Sequence, residues 1–186
     1  YQMFFKNKNE KILSEVINSN YAVIYFKPDG TIIKANEFFL KTMDYSLEEI
    51  VGKHHSIFCE EKFAKTQEYK DGWDAVRAGE TVTAEFQRVK KDGNLIFLRA
   101  SYMPIIENGK VVEVVKLAQD ITKNRLRNLF YIGQVKAINK SNAVIEFDMN
   151  GNILNANDNF LNTLGYKKDD IVRKHHSIFC EEKYKK

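Results

Sequence analysis

Lys53-His54-His55-Ser56-Ile57-Phe58-Cys59-Glu60-Glu61-Lys62 is the stretch on which the reading of this chain turns, because residues 174–183 repeat it without a change. The two copies hold all four histidines and both cysteines of the protein. The repetition extends upstream of each copy. Ala22, Ile24 and Phe26 match Ala143, Ile145 and Phe147, and Phe39, Leu40 and Met43 match Phe160, Leu161 and Leu164. Alternation places Ala22, Ile24 and Phe26 on the core face of a strand and turns Tyr21, Val23 and Tyr25 outward. Tyr25 stands opposite Glu146 in the other copy, and Phe38 opposite Asn159. Large apolar groups at positions that are polar in the second copy mark Tyr25 and Phe38 as interface candidates. Tyr25 is expected to pack under a helix or a partner chain, and Phe38 to be interfacial or simply exposed.

Between these landmarks the local signals are regular. Ile12, Leu13, Val16 and Ile17 lie on one face of an amphipathic helix within residues 1–20. Residues 21–26 and 31–35 flank Lys27-Pro28-Asp29-Gly30, whose Pro and Gly positions suit a type I turn. Asn36 caps the helix that follows, and Ser46-Leu47-Glu48-Glu49 opens another with a capping box. After the His-His segment, residues 63–77 read as one longer helix with Trp73 and Val76 on its apolar side. Three strands over 81–89, 95–106 and 111–120 are joined through Asp92-Gly93 and Asn108-Gly109, strong hairpin signals. Tight hairpins with helices between them predict an α+β domain, an antiparallel sheet with helices on one face. A further helix over 122–140 leads into the second copy, which has a hairpin and short helices but no counterpart to the last three strands. The expected division is an N-terminal helix over 1–20, a first domain over 21–122, a linker helix over 123–141 and half of a second domain over 142–186. A lone hairpin is marginal, so the second half is expected to be truncated and to lean on a neighbouring chain. Tyr1 and Gln2 precede Met3, which reads as the natural start of something longer.

Composition narrows the function classes. A net charge of +4, with acids and bases interspersed, leaves no basic stripe for nucleic acid. No apolar run approaches the roughly 20 residues needed to span a bilayer, and no signal-peptide pattern is present. Two cysteines at equivalent repeat positions make no disulfide framework, which suits a reducing, cytoplasmic setting. Phosphate-loop, dinucleotide and nucleophile-elbow glycine patterns are absent, and no nucleophile, base and orienter assemble by spacing, so no enzymatic activity is expected.

The His-His segment is the remaining chemical candidate. Adjacent histidines on a helix point about 100° apart and cannot chelate one ion as an i, i+4 pair would. Cys59 lies four residues after His55, yet a zinc site needs about four protein ligands, or three and a water. A heme iron held by His54 or His55 is the better reading among the metals. Cys59 and Cys180 each follow Ile-Phe and read as buried small hydrophobes. Redox sensing would require His55 and Lys62 to make the thiol's setting electropositive. Trp73 is core by default.

Several motifs resemble the PAS family. Residues 30–36, Phe39 and residues 43–52 look like the opening of a PAS domain. Residues 114–122 look like its closing strand, with Asp120-Ile121-Thr122 at the junction to an output helix. The middle resembles a subgroup found in tandem in cytoplasmic methyl-accepting chemotaxis receptors, a biofilm-dispersion regulator among them. The carriers are Gly52-Lys53-His54-His55, Tyr69 with Trp73, and Ser101-Tyr102-Met103-Pro104-Ile105. The resemblance implies a five-stranded antiparallel sheet and short helices around a pocket for heme, flavin, a metabolite or nothing. It makes His54, His55, Asn36 and Trp73 the candidate cofactor-binding residues and Asp120 and Thr122 the signal junction. Heme is slightly favoured, with flavin or no cofactor as alternatives. The flavin-photoreceptor Asn-Cys-Arg-Phe-Leu-Gln motif is absent, residues 63–77 contain no histidine, and residues 111–120 contain no tryptophan. The function implied is a sensory module relaying a redox, oxygen, energy or small-ligand signal through its linker helix. The alternative is a cofactor-free interaction and dimerisation module. The implied partners are a second copy of the chain and downstream chemotaxis signalling proteins.

Overall fold

The computed structural model describes residues 2–181 and 183, with side chains from Lys8 onward. Tyr1, Glu182 and residues 184–186, which fall at the ends of the expected 1–20 and 142–186 segments, lie outside the described residues. The chain divides into two compact units, Tyr1–Arg125 and Leu126–Lys186. The division falls inside a helix.

The first unit opens with helix α1 (Gln2–Asn20) and the hairpin β1 (Ala22–Phe26) and β2 (Ile32–Ala35). Short helices α2 (Glu37–Met43) and α3 (Leu47–Ile50) follow, then a 3-10 turn over His55–Phe58. Helices α4 (Glu61–Ala64) and α5 (Gln67–Arg77) lead to strands β3 (Val82–Val89), β4 (Leu95–Glu107) and β5 (Lys110–Asp120). The strands form one antiparallel sheet in the order β2-β1-β5-β4-β3, so the first and last hairpins meet at β1 and β5. The expected single helix over 63–77 is two helices. Thr66 breaks it by capping the Tyr69 N–H with its hydroxyl, the N-cap chemistry that starts α5.

Ala22, Ile24 and Phe26 are buried as the alternation requires, with Phe39, Phe58, Trp73, Leu98 and Val114 in the same core. Val23, expected to face outward, is buried as well. Tyr25 is half-buried, with the Lys34 ammonium 4.1 Å from its ring centre. Phe38 is not simply exposed: it packs, half-buried, against the first unit's own core. The capping expectations at Asn36 and Ser46 match the geometry. Asn36 Oδ1 accepts from the N–H groups of Val23 and Phe39, and its amide donates to the Tyr21 carbonyl. Ser46 and Glu49 form the capping box.

Helix α6 (Thr122–Ser141) carries the chain into the second unit, which has the hairpin β6 (Ile145–Phe147) and β7 (Ile153–Ala156), helices α7 (Asp158–Leu164) and α8 (Lys168–Ile171), and a 3-10 turn over His176–Phe179. The local bonding of the first unit returns. Asn157 Oδ1 accepts from Val144 and Phe160, and its amide donates to Asn142. The core is thin: Ile153, Ala156, Leu161 and Ile171 are its buried members, while Phe147 is 44% exposed. Fully burying one large apolar side chain contributes about 1.5–3 kcal/mol, so the second unit has far less to offset its chain entropy.

Candidate functional site

Strand register builds the site. On β4, Ile96, Leu98, Ala100 and Tyr102 alternate into the core. On β3 the same period brings Val82, Ala84, Phe86 and Arg88 to one face, and all four line a cavity of about 220 Å³. Helix α5 closes the other side with Tyr69, Gly72, Trp73 and Val76, and His55 lies on the cavity wall between helix and sheet.

His55 is 1% exposed and is fixed at both ring nitrogens. Its Nδ1 lies 3.0 Å from the Tyr69 hydroxyl and its Nε2 lies 2.8 Å from the Tyr102 hydroxyl. Burial, reinforced by the nearby Lys116 and Arg88 charges, holds His55 well below the usual histidine range, so the ring is neutral. A neutral ring donates at one nitrogen and accepts at the other, and two phenols, each donor or acceptor, satisfy either tautomer. Burial raises the Tyr69 phenol and the Cys59 thiol above their usual ranges. Cys59 is therefore a protonated, buried thiol, the opposite of the exposed and electropositive setting of a reactive cysteine.

Two cations share this interior. Arg88 is 3% exposed and Lys116 is 1% exposed. The Arg88 guanidinium lies 4.7 Å from the Phe86 ring centre and 5.6 Å from that of Phe63. Its Nη1 donates to the Gln87 carbonyl at 2.7 Å and its Nη2 to the Tyr102 hydroxyl at a long 3.4 Å, while Nε has no partner among the described residues. The Lys116 ammonium lies 4.9 Å from the Tyr102 ring centre, and burial lowers its affinity for the proton.

The expected site residues part company. His55 and Trp73 line the cavity. His54 is exposed and serves the hairpin: Nδ1 accepts from the Ser56 N–H, so Nε2 carries the proton and donates to the Asp29 carbonyl at 3.0 Å. Gly30 makes room for that ring, since a Cβ there would sit 2.6 Å from Nε2. Asn36 is committed to the strand and helix caps and does not line the cavity. Asp120 accepts from the Thr122 N–H, and the Thr122 hydroxyl accepts from the Phe97 N–H, which fastens the start of α6 to β4.

Arg88, Lys116 and Tyr102 were not among the expected cofactor-binding residues, although a charged residue on the inward register of an otherwise apolar strand is a sequence signal for them. Heme does not fit this arrangement. A cavity of about 220 Å³ is smaller than the ~300–1,000 Å³ of typical ligand sites. The buried histidine has both nitrogens engaged, and the exposed one holds a turn. The same size argument applies to the fused rings of a flavin. Among the described residues, no group of three or more His, Cys, Asp or Glu could hold a metal ion.

Comparison with known proteins agrees with the architecture. A family profile described as PAS fold matches residues 32–118, and one described as PAS domain matches residues 141–186. The biofilm dispersion protein BdlA of Pseudomonas aeruginosa is 36% identical over 91% of this chain. The chain spans 41% of that protein's length. The aerotaxis receptor of Escherichia coli is 26% identical over 43% of this chain and 16% of its own. The PAS domain of a Colwellia psychrerythraea protein superposes with a TM-score of 0.53 at 23% identity, covering 61% of this chain and 97% of that one. An RNA-binding light-oxygen-voltage receptor superposes with a TM-score of 0.57 at 20% identity, covering 69% and 37%. At such identities the solved structures speak for the fold alone.

Proposed function

We propose that this chain, which carries PAS domains, is the sensory part of a chemoreceptor-like signalling protein, binding a small ligand in its first unit and reporting it through α6. The observation that carries this reading is that one strand serves both ends of the route. Tyr102 of β4 holds His55 at the cavity, and Phe97 of the same strand is bonded to Ile121 and Thr122 where α6 begins. A ligand that moves Tyr102 pulls on a strand whose other end holds the output helix. The similarity to the biofilm dispersion protein and to the aerotaxis receptor supports a chemotaxis setting and signalling rather than catalysis. A cytoplasmic location belongs to the same reading, supported by two free cysteines, and among the described residues no helix is long and apolar enough to cross a membrane. So does a homodimer, for which Leu126, Leu129, Phe130, Ile132 and Val135 on α6 offer exposed apolar surface.

Coupling between the sites is tested by amide hydrogen exchange on the chain carrying Tyr102→Phe. Losing the hydroxyl should speed exchange at Ile121 and Arg125, whose N–H groups bond Phe97 and Ile121, by about three- to tenfold. The Asn36 amide, bonded to Val23 at the far edge of the sheet, should hold its rate. Unchanged exchange at Ile121 and Arg125 would refute the route.

A further inference from the structure

We propose that the ligand of the first unit is a small organic carboxylate with an apolar body, seated against the Nε–Nη2 edge of Arg88. The inference rests on reading the first unit as ligand-binding and names the ligand's chemistry. Arg88 and Lys116 place two cationic side chains in the same interior, and among the described residues neither forms an ion pair within 4.0 Å. Among the described residues, the groups beside them are phenols, aromatic faces, a thiol and a neutral imidazole, none of which carries negative charge. Three carboxylates approach from the surface. Glu60 accepts from the Gln87 amide, Glu85 accepts from Arg99, and Glu68 is an exposed rim residue of the cavity. A buried guanidinium without an anion is a costly arrangement, and a buried donor with no partner calls for an explanation. Here both fall on one residue.

The geometry selects among anions. In a guanidinium, Nε–H and one Nη2–H run parallel along one edge, a spacing that matches the two oxygens of a carboxylate. On Arg88 this is the unsatisfied edge, buried and short of acceptors, since Nε has no partner among the described residues and Nη2 has only the 3.4 Å contact to Tyr102, while Nη1 is committed to the backbone. Phe63, Trp73, Val76, Val82 and Phe86 make much of the remaining wall apolar, beside the neutral polar groups of His55, Tyr69 and Tyr102 and the rim carboxylate of Glu68. A dry cavity of about 150 Å³ admits a benzene ring, so about 220 Å³ suits a ring or a branched chain bearing one carboxylate. A second carboxylate would find no second cation among the lining residues.

The test uses the full chain and three matched pairs: benzoate and benzamide, phenylacetate and phenylacetamide, isobutyrate and isobutyramide. Binding is followed by calorimetry and by the thermal midpoint. At least one carboxylate should bind about tenfold or more tightly than its amide, and at a hundredfold excess over its Kd should raise the midpoint by roughly 5–10 °C. Arg88→Gln should cost that carboxylate about tenfold or more in affinity and leave the amide unchanged, with the far-ultraviolet spectrum preserved. Arg99→Gln, which removes a surface positive charge, should leave both unchanged. If no carboxylate exceeds its amide, or if Arg88→Gln binds as tightly as the parent, the inference is overturned. Amides binding equally well would sink the carboxylate while leaving a ligand-sensing pocket, whereas the exchange experiment on Tyr102→Phe tests the sensing route whatever the ligand.

Discussion

The two copies of the ten-residue segment have the same sequence and nearly the same backbone, yet they make different surroundings. In both, the first histidine caps the 3-10 turn through Nδ1 and the next four residues turn in the same way. In the first unit the second histidine, His55, is sealed between Tyr69 and Tyr102. Its counterpart His176 is exposed, with the half-open Phe147 ring 5.6 Å away. Cys59 is buried and Cys180 is half-exposed. What the segment encodes is a turn. The site appears only where α5, β3 and β4 bring a second wall to it.

The sharpest way to break this comparison is to remove each second histidine in turn. His55→Ala strips partners from two buried phenols and opens a hole in a packed interior, at a cost of about 2–4 kcal/mol. His176→Ala touches an exposed ring and should stay within about 0.5 kcal/mol. Trp73 is the protein's single tryptophan and lies in the first unit's core, so its fluorescence in a urea titration reports that unit alone. Equal midpoints for His55→Ala and the parent chain would mean that the buried pair of hydrogen bonds does not hold the unit together.

Acid probes the same contrast more gently. The folded first unit keeps His55 neutral well below the usual histidine pKa, whereas the unfolded chain protonates it near 6.5. The unfolded state therefore binds the extra proton. The stability that His55 contributes is fully present above about pH 6.5 and is lost as pH falls from there toward its folded value. Each pH unit in that window costs up to about 1.4 kcal/mol, so the first unit should lose stability progressively as pH falls from about 6.5 toward about 5. His55→Gln keeps a polar group at the site but cannot take up the proton, and its Trp73 unfolding midpoint should fall less over this range. Parallel pH profiles for the two proteins would show that His55 is not the group responsible.

Most of the fold was legible because its signals are local or strictly periodic. Asp92-Gly93 and Asn108-Gly109 are hairpin turns wherever they sit, and both glycines adopt the left-handed conformation that such turns need. Asn36 and Asn157 announce their helices through one side chain. The site was less legible because it is assembled across long sequence distances. His55 and Tyr102 are both in the quoted motifs, but nothing in spacing says that a hydroxyl on β4 reaches a ring on the 3-10 turn. The His-His pair pointed toward metal chemistry, whereas its members face different tasks, one holding a hairpin and one lining a cavity. Arg88 and Lys116 follow from the strand period, Val82-Ala84-Phe86-Arg88 and Val114-Lys116-Ala118, once inward register is enforced on charged residues as on apolar ones. Of the two readings of Phe38, the exposed one fails, because comparison with Asn159 says nothing of the core that the first copy's Phe38 packs against.

The smallest contrast lies at the glycines beneath the first histidines. Gly30 and Gly151 both have positive φ, +87° and +79°, so an alanine at either pays the left-handed penalty of about 1 kcal/mol. Beyond that penalty the surroundings differ. At Gly30 the new methyl would meet the His54 ring at 2.6 Å and Trp73 at 3.2 Å, and His54 is tied to the Asp29 carbonyl while Trp73 is fixed in the core. At Gly151 it would meet His175 and His176, both at 2.7 Å; among the described residues the His175 ring is hydrogen-bonded to the Ser177 N–H alone, and the exposed His176 ring can swing away. Gly30→Ala should therefore cost about 1 kcal/mol more than Gly151→Ala. The first is measured by Trp73 fluorescence, and the second by amide exchange at Ile153 and His176, whose N–H groups bond Lys174 and Gly151. If the two costs are equal, the backbone penalty alone explains both, and the tighter seating of His54 over the first hairpin contributes nothing to stability.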